Sequence, residues 1–160
     1  MRYGHHDRMS WLSLEGAIRY TEARQLRAFL DDVVLPQVSD TTVIDLREVV
    51  SVDSTGLGLL CHIGRSCLQR YSRRAVILCP EGSVAQTLRA MQFDKMFTLT
   101  PALEVPKDLQ LENVTLDRTP PQGLAAVMLG AHRELCDVDE RNRARFVDVM
   151  DALERSNGKH

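Results

Sequence analysis

The sequence has few aromatic residues, no cysteine pair at metal-binding spacing and no long apolar run. Aromatic residues make up only 5% of the 160 residues, whereas hydrophobic residues together make up 44%, so the core must be mainly aliphatic. No stretch approaches the roughly 18 apolar residues of a membrane-spanning helix, so no membrane contact is predicted. A chain of this length can bury its own core, which predicts one domain or a small domain with an extension.

Neither sign of charge dominates the chain. It has 20 Lys and Arg residues against 22 Asp and Glu residues, a net charge of -2. This balance gives no reason to expect a direct nucleic-acid partner. The first eight residues contain no apolar run, so no signal peptide is predicted and the expected compartment is the cytoplasm.

The chain has four cysteines, none of them in a Cys-x-x-Cys pair: Cys61, Cys67, Cys79 and Cys136. Three of them lie within apolar patterns, which predicts buried, reduced side chains. His5 and His6 have no cysteine or carboxylate partner at ligand spacing. We therefore predict no metal site and no cofactor.

Hydrophobic periodicity predicts alternating strands and helices over residues 8–100. The predicted strands begin at Met9, with a bend at Gly16, and continue at residues 41–46, 75–79 and 96–99. The predicted helices cover residues 22–34, 54–71 and 83–91, and residues 47–52 are predicted to be a connection. This order predicts an α/β fold, a mixed β-sheet covered by helices on one face.

The character of the sequence changes after Pro101. Four of the six prolines lie in residues 101–121, which predicts a linker. Residues 122–155 carry two apolar stripes at helical spacing and are predicted to form a C-terminal helical extension. The predicted organisation is therefore a domain over residues 8–100, a linker over 101–121 and the extension over 122–155.

The segment Asp53-Ser54-Thr55-Gly56 stands where a strand gives way to a helix. Ser54 is expected to be the N-cap of that helix, with its oxygen accepting a backbone N–H. The same position suits a phosphate, because free N–H groups and the helix dipole favour an anion there. Gly56 and Gly58 predict a bare first turn that a partner or a kinase can approach closely.

Two apolar residues lie away from the predicted core stripe of helix 54–71. On a helical projection Leu59 and Ile63 stand at roughly 200° and 240° from Leu57. Two interpretations stay open at this point. In the first, the two side chains have no function of their own, because the C-terminal helices cover them or because they are ordinary scattered apolar surface. In the second, they form a partner-binding ridge beside Ser54.

The run Val43-Ile44-Asp45-Leu46, followed by Val52-Asp53-Ser54-Thr55-Gly56-Leu57-Gly58-Leu59-Leu60, resembles the STAS domain. The name denotes sulphate transporters and anti-sigma factor antagonists, and the resemblance is greatest to the bacterial antagonists. The motif Asp-Ser-(Ser/Thr)-Gly-Leu-Gly after a hydrophobic strand carries it. Residues 93–97 fit the end of that domain, so the resemblance covers about residues 8–100.

The resemblance implies a non-enzymatic, protein-binding function in transcription regulation. In such proteins an ATP-using serine kinase, which is also the anti-sigma factor, phosphorylates the motif serine, here Ser54. A PP2C-type phosphatase reverses the modification, and the unphosphorylated antagonist binds the anti-sigma factor. The resemblance implies that Asp53 orients Ser54 and that Gly56, Leu57 and Gly58 form the docking turn. With Thr55 beside them and Leu59 and Ile63 from the helical projection, these are the predicted partner-binding residues.

One residue departs from the family pattern, and two other functions remain open. Arg19 in Gly16-Ala17-Ile18-Arg19 stands where many relatives have an acidic residue, which bears on the identity of the partner.

The main alternative to a phospho-regulated antagonist is a non-catalytic scaffold subunit of a sensory complex that binds through the C-terminal helices, which could also pair two subunits as a homodimer. A serine hydrolase is disfavoured because Ser54 lacks a Gly-x-Ser-x-Gly elbow.

Overall fold

A computed structural model describes residues 1–37, 40–116 and 123–157, which form a six-stranded sheet and five α-helices. The strands are β1 (Arg2–His6), β2 (Met9–Ile18), β3 (Thr41–Val52), β4 (Val76–Leu78), β5 (Thr98–Thr100) and β6 (Glu112–Asn113). The helices are α1 (Ala23–Phe29), α2 (Ser54–Tyr71), α3 (Ser83–Ala90), α4 (Leu124–Cys136) and α5 (Glu140–Asn157).

The sheet is mixed, with strand order β5-β4-β3-β2-β1-β6. Strands β2 to β5 run parallel to one another, and helices connect them. Strand β1 is antiparallel to both β2 and β6, and the β1–β2 hairpin turns at Asp7, whose φ is 51°. The predicted class, a mixed sheet covered by helices and followed by C-terminal helices, is confirmed.

The two faces of the sheet are buried in different ways. Leu12, Ile44 and Ile77 pair across β2, β3 and β4 and belong to the main core, which the helices also line. On the opposite face, Trp11 and Val43 are fully buried, and Leu109 and Leu111 pack against their cluster. The helices therefore cover one face, and an extended segment after β5 covers part of the other.

That extended segment differs from a plain linker. After β5 it passes so close to Gly4 that an added Cβ would lie 2.1 Å from the carbonyl oxygen of Gln110. It then forms β6, which pairs with β1. The proline content predicted a connection, but Leu109 and Leu111 supply the apolar contacts that hold it on the sheet. Residues 117–121 of the predicted linker and residue 122 lie outside the described residues.

Two other elements differ from their predicted bounds. Residues 47–52 continue β3 as a strand instead of forming a connection, because they pair with the second half of β2. The register of that pairing shifts on both sides of Gly16, whose φ is 73°. The predicted helix over residues 22–34 is α1 up to Phe29, followed by a π-helical turn over Leu30–Val34 and a 3-10 turn over Leu35–Gln37.

The C-terminal helices pack onto the domain. The buried side chain of Asn142 donates hydrogen bonds to the carbonyl oxygens of Met91, 3.0 Å away, and Leu135, 3.1 Å away. Asp139, which precedes α5, forms ion pairs with Lys95 and Arg141. Hydrogen bonds from Arg141 and Lys95 hold the pKa of that carboxyl well below its usual value. The turn between α4 and α5 is thus fixed to the end of α3.

Candidate functional site

Asp53, rather than Ser54, is the N-cap of α2. Its Oδ1 accepts a hydrogen bond from the Gly56 N–H at 2.8 Å, and its Oδ2 accepts one from the Tyr20 N–H at 2.7 Å. The prediction that Ser54 caps the helix is therefore wrong. The Asp53 carboxylate binds the N–H of Gly56 in α2 and the N–H of Tyr20 after β2 at the same time, and the shorter serine side chain could not bind both. The hydroxyl of Ser54, the first helical residue, is thus free for another partner.

That partner is His132 of α4. The Nε2 atom of His132 lies 3.0 Å from the Ser54 Oγ, and its Nδ1 atom lies 2.7 Å from the carbonyl oxygen of Met128. Because a carbonyl only accepts, Nδ1 carries a proton, and in the neutral ring Nε2 then accepts the hydroxyl hydrogen of Ser54. His132 is 1% exposed, and its ring meets the Phe146 ring edge-on at 5.4 Å. The helical extension therefore reaches the candidate site directly.

Sequence reasoning did not connect His132 with Ser54. The two residues are separated by 78 positions, and no short motif joins them. The sequence nevertheless contains an indication that His132 has a buried partner, since it lies between the apolar residues Met128 and Leu135 on the inward-facing stripe of α4. A histidine inside an apolar stripe needs a hydrogen-bond partner in whatever surface the stripe covers.

The first turn of α2 is not bare. A Cβ added to Gly56 would lie 2.8 Å from Ile18 Cγ2 and 3.0 Å from Val52 Cγ1, so this glycine packs against the ends of β2 and β3. A Cβ added to Gly58 would lie 2.0 Å from the carbonyl oxygen of Ala131 in α4. Both glycines permit close approach, but the approaching groups belong to the chain itself and not to a partner or a kinase.

The apolar residues of the motif are buried. Leu57 and Thr55 are each 2% exposed, and Leu59 and Ile63 are 0% exposed. Leu59 and Ile63 therefore form no exposed ridge in this structure, and both belong to the main hydrophobic core. Among the predicted site residues only Asp53 and Ser54 are partly exposed.

A chain of charges lies beside the buried contact. His62 of α2 stands 2.8 Å from an Asp31 oxygen and 3.4 Å from a Glu134 oxygen. Arg65 of α2 pairs with Glu134 at 2.8 Å and Asp137 at 2.9 Å. Partial burial would raise the pKa of Asp31, but hydrogen bonds from Arg27 and His62 outweigh it and hold that pKa below its usual value. Glu134 of α4 and Asp137, the residue after α4, are thus matched to basic residues of α2.

The accessible rim of the site is formed by the residues around Asp53. Tyr20, whose N–H binds Asp53, is 46% exposed, and Val50 near the end of β3 is 69% exposed. Arg19 is also exposed, one residue before Tyr20. A cavity of about 450 Å³ lies elsewhere, between the end of β2 and residues 114–116, and Ser54 and His132 are not among its lining residues.

The described part of the chain shows neither a metal cluster nor a membrane-spanning helix. In residues 1–37, 40–116 and 123–157 no group of three or more His, Cys, Asp and Glu residues is placed to hold a metal ion. No helix in the same residues is long and apolar enough to cross a membrane. All four cysteines are buried and unpaired.

Removing the Asp53 carboxylate is expected to destabilise the protein. An Asp53→Ala variant loses the cap of α2 and the acceptor for Tyr20, and we expect its free energy of unfolding to fall by about 1–2 kcal/mol. Asp53→Asn keeps a capping oxygen and should lose less than half of that. Urea unfolding followed by circular dichroism measures both variants. An Asp53→Ala protein as stable as the wild type would contradict the capping role.

Comparisons with known proteins agree with this architecture. A family model described as Mlab, STAS domain, matches residues 1–101. The chain is similar in structure to the anti-sigma factor antagonist SpoIIAA in its unphosphorylated form, with 20% identity and a TM-score of 0.50, covering 63% of this chain and 87% of that one. It is also similar to an anti-sigma factor antagonist from Mycobacterium paratuberculosis, with 23% identity and a TM-score of 0.54, covering 64% and 86% of the two chains.

At these identities the two solved structures establish a shared fold. No curated protein sequence matches the chain at a significant level. The family model covers 101 of the 160 residues and includes β1 to β5 with the Ser54 segment. The chain therefore belongs to the STAS domain family.

Proposed function

We propose that this protein is a phospho-regulated anti-sigma factor antagonist that acts by partner switching in the cytoplasm, with Ser54 as the phosphoacceptor. The observation that carries the proposal is the state of the Ser54 hydroxyl. It lies at the first residue of α2, partly exposed, and the neighbouring Asp53 has taken over the capping role. The hydroxyl can therefore be modified without removing the cap of the helix.

A phosphate at this position changes the surface strongly. It adds about -1.5 to -2 units of charge beside the Asp53 carboxylate, at a helix end whose dipole tolerates an anion. A partner that docks on the neutral hydroxyl would meet two adjacent negative groups after phosphorylation. The unphosphorylated form is accordingly the one that binds the anti-sigma factor, and a PP2C-type phosphatase restores it.

The residues proposed to bind the partner play two different parts. Asp53 and Ser54 are accessible and would touch the partner directly, as would the exposed Tyr20 beside them. Thr55, Gly56 and Leu57 are buried and would fix the shape of the turn. Gly58 is covered by α4 and becomes a contact only if that helix moves, and Leu59 and Ile63 are buried in the main core.

The proposal is tested by incubating the full chain with its cognate anti-sigma kinase and ATP. We expect intact-mass measurement to show one added phosphate, mapped to Ser54 by peptide fragmentation. The Ser54→Ala variant should gain none. Phosphate found on another residue, or none on the wild-type chain, would refute the switch.

A scaffold function through the C-terminal helices remains the second candidate. Helix α5 turns apolar side chains outward, with Val147 45% and Val149 40% exposed. Replacing both with lysine should leave binding of the anti-sigma factor within about twofold of wild type, since surface substitutions of this kind have small effects. Loss of partner binding in that variant, with normal binding by Ser54→Asp, would favour the scaffold.

A further inference from the structure

Helix α4 packs along the face of α2 that begins at Ser54, and it does so at very short range. The backbone of Ala131 lies against Gly58, where any side chain would collide with it. One turn earlier on α2, the Ser54 hydroxyl oxygen lies 3.0 Å from His132 Nε2. Close helix pairs of this kind depend on small residues at the crossing point, here Gly58 and Ala131.

The same contact contains a charge pattern. Counting from Ala131, the acidic residues Glu134 and Asp137 follow three and six positions later, and they pair with His62 and Arg65 on α2. The face of α2 thus selects a helix with a small residue at the crossing and acidic residues at those spacings. Helix α4, which is bound to this face, has this pattern.

We propose that this face of α2 is a helix-docking surface, that α4 occupies it in the resting protein, and that a partner binds by placing an acidic helix with a small crossing residue where α4 lies. The surface comprises Gly58, His62 and Arg65, with Ser54 at its end, because each of these residues contacts α4 or the residue after it. Helix α4 is a competitor built into the chain.

The proposal has a consequence for Ser54, and this consequence rests on the proposed function. A phosphoryl group on Ser54 would replace the hydrogen of the hydroxyl that lies 3.0 Å from His132 Nε2, and it would add bulk and negative charge against α4. A partner helix can occupy the docking surface only after α4 leaves it. Phosphorylation in turn keeps α4 off its surface, so the modified serine and the docked helix exclude each other.

The competition also sets the apparent affinity for the partner. A protein that binds only in its open form has its dissociation constant raised by the reciprocal of the open fraction. Because α4 is tethered to the domain, its effective concentration is on the order of millimolar, well above that of a free partner. A substitution that loosens α4 without altering α2 should therefore tighten binding of a partner helix.

A pair of matched glycine substitutions tests the contact in the full chain. Gly58→Ala places a Cβ 2.0 Å from the Ala131 oxygen, whereas Gly130→Ala in α4 has open space around its Cβ. We expect hydrogen exchange of the α4 and α5 amides to be at least about tenfold faster in Gly58→Ala and unchanged in Gly130→Ala, with the sheet amides protected in both. Unchanged protection in Gly58→Ala would overturn the proposal.

Binding in trans tests the docking surface itself. A fluorescent peptide with the sequence of residues 123–139 is titrated into the full-chain Ala131→Leu variant, in which the enlarged side chain weakens docking of the chain's own helix. We expect the peptide to bind this variant at least about tenfold more tightly than wild type, where α4 competes, and to lose that gain when Gly58→Ala is added. Equal binding to all three proteins, or none to Ala131→Leu, would overturn the proposal. Neither experiment uses a kinase, so failure of Ser54 phosphorylation and failure of the docking surface are told apart.

Discussion

The Ser54→Asp variant is expected to bind the anti-sigma partner at least about 100-fold more weakly than Ser54→Ala, a difference of about 2.7 kcal/mol. The added carboxylate would stand next to Asp53, and a docking partner would have to cover two adjacent negative charges without cations to pair them. Leaving a charge buried and unpaired at an interface has costs of this size. Ser54→Ala removes only the hydroxyl and its hydrogen bond to His132.

Titration calorimetry with the purified anti-sigma factor measures both affinities. Ser156→Asp is the matched control, because it adds the same charge at an exposed residue near the end of α5. Its affinity should remain within about twofold of wild type. If Ser54→Asp and Ser54→Ala bound equally well, Ser54 would be only a structural residue.

The largest expected loss of stability comes from Phe97→Ala. The Phe97 ring is 1% exposed, stacks on the Phe93 ring at 5.1 Å and fills the space beside Gly64 of α2. Its removal leaves a cavity at the point where α2 meets the residues before β5, and we expect the free energy of unfolding to fall by about 3–5 kcal/mol. In a domain of this size that corresponds to a fall in Tm of about 10 °C.

A double-mutant cycle shows whether Phe97 and Gly64 are coupled. A Cβ added at Gly64 would lie 2.5 Å from the Phe97 Cζ, so Gly64→Ala alone should destabilise the protein by about 1–3 kcal/mol. In a Phe97→Leu background the ring is absent, and Gly64→Ala should then lower the free energy of unfolding by a clearly smaller amount. Gly130→Ala controls for the gain in helix propensity, and thermal unfolding measures all variants. If the double variant lost as much stability as the two single variants together, the close contact between Gly64 and Phe97 would be contradicted.

The elements predicted most accurately are those whose pattern is local. Helix α2 has the predicted bounds, 54–71, because its apolar stripe repeats over five turns and a polar segment follows it. The second half of β3 was missed, because its strand character depends on pairing with β2 across a register shift near Gly16. The segment leading to β6 was missed for a similar reason, since the contacts that hold it are on distant strands.

The site was predicted less completely than the fold. The motif located Asp53 and Ser54, but choosing which of them caps the helix required the position of Tyr20 relative to Asp53. Gly58 was predicted to leave the turn bare for a partner, but the backbone of Ala131 in α4 lies against it, and the sequence does not show which segment approaches a glycine. The contact of His132 with Ser54 joins residues 78 positions apart, and helical spacing alone predicts only that His132 faces inward.

The most direct test of the central claim compares one protein sample in two states. The full chain is phosphorylated at Ser54, titrated with the anti-sigma factor, dephosphorylated by a PP2C-type phosphatase and titrated again. We predict that the phosphorylated form binds at least about 100-fold more weakly and that phosphatase treatment restores the original affinity. The same affinity in both states would contradict the proposal that Ser54 controls partner binding.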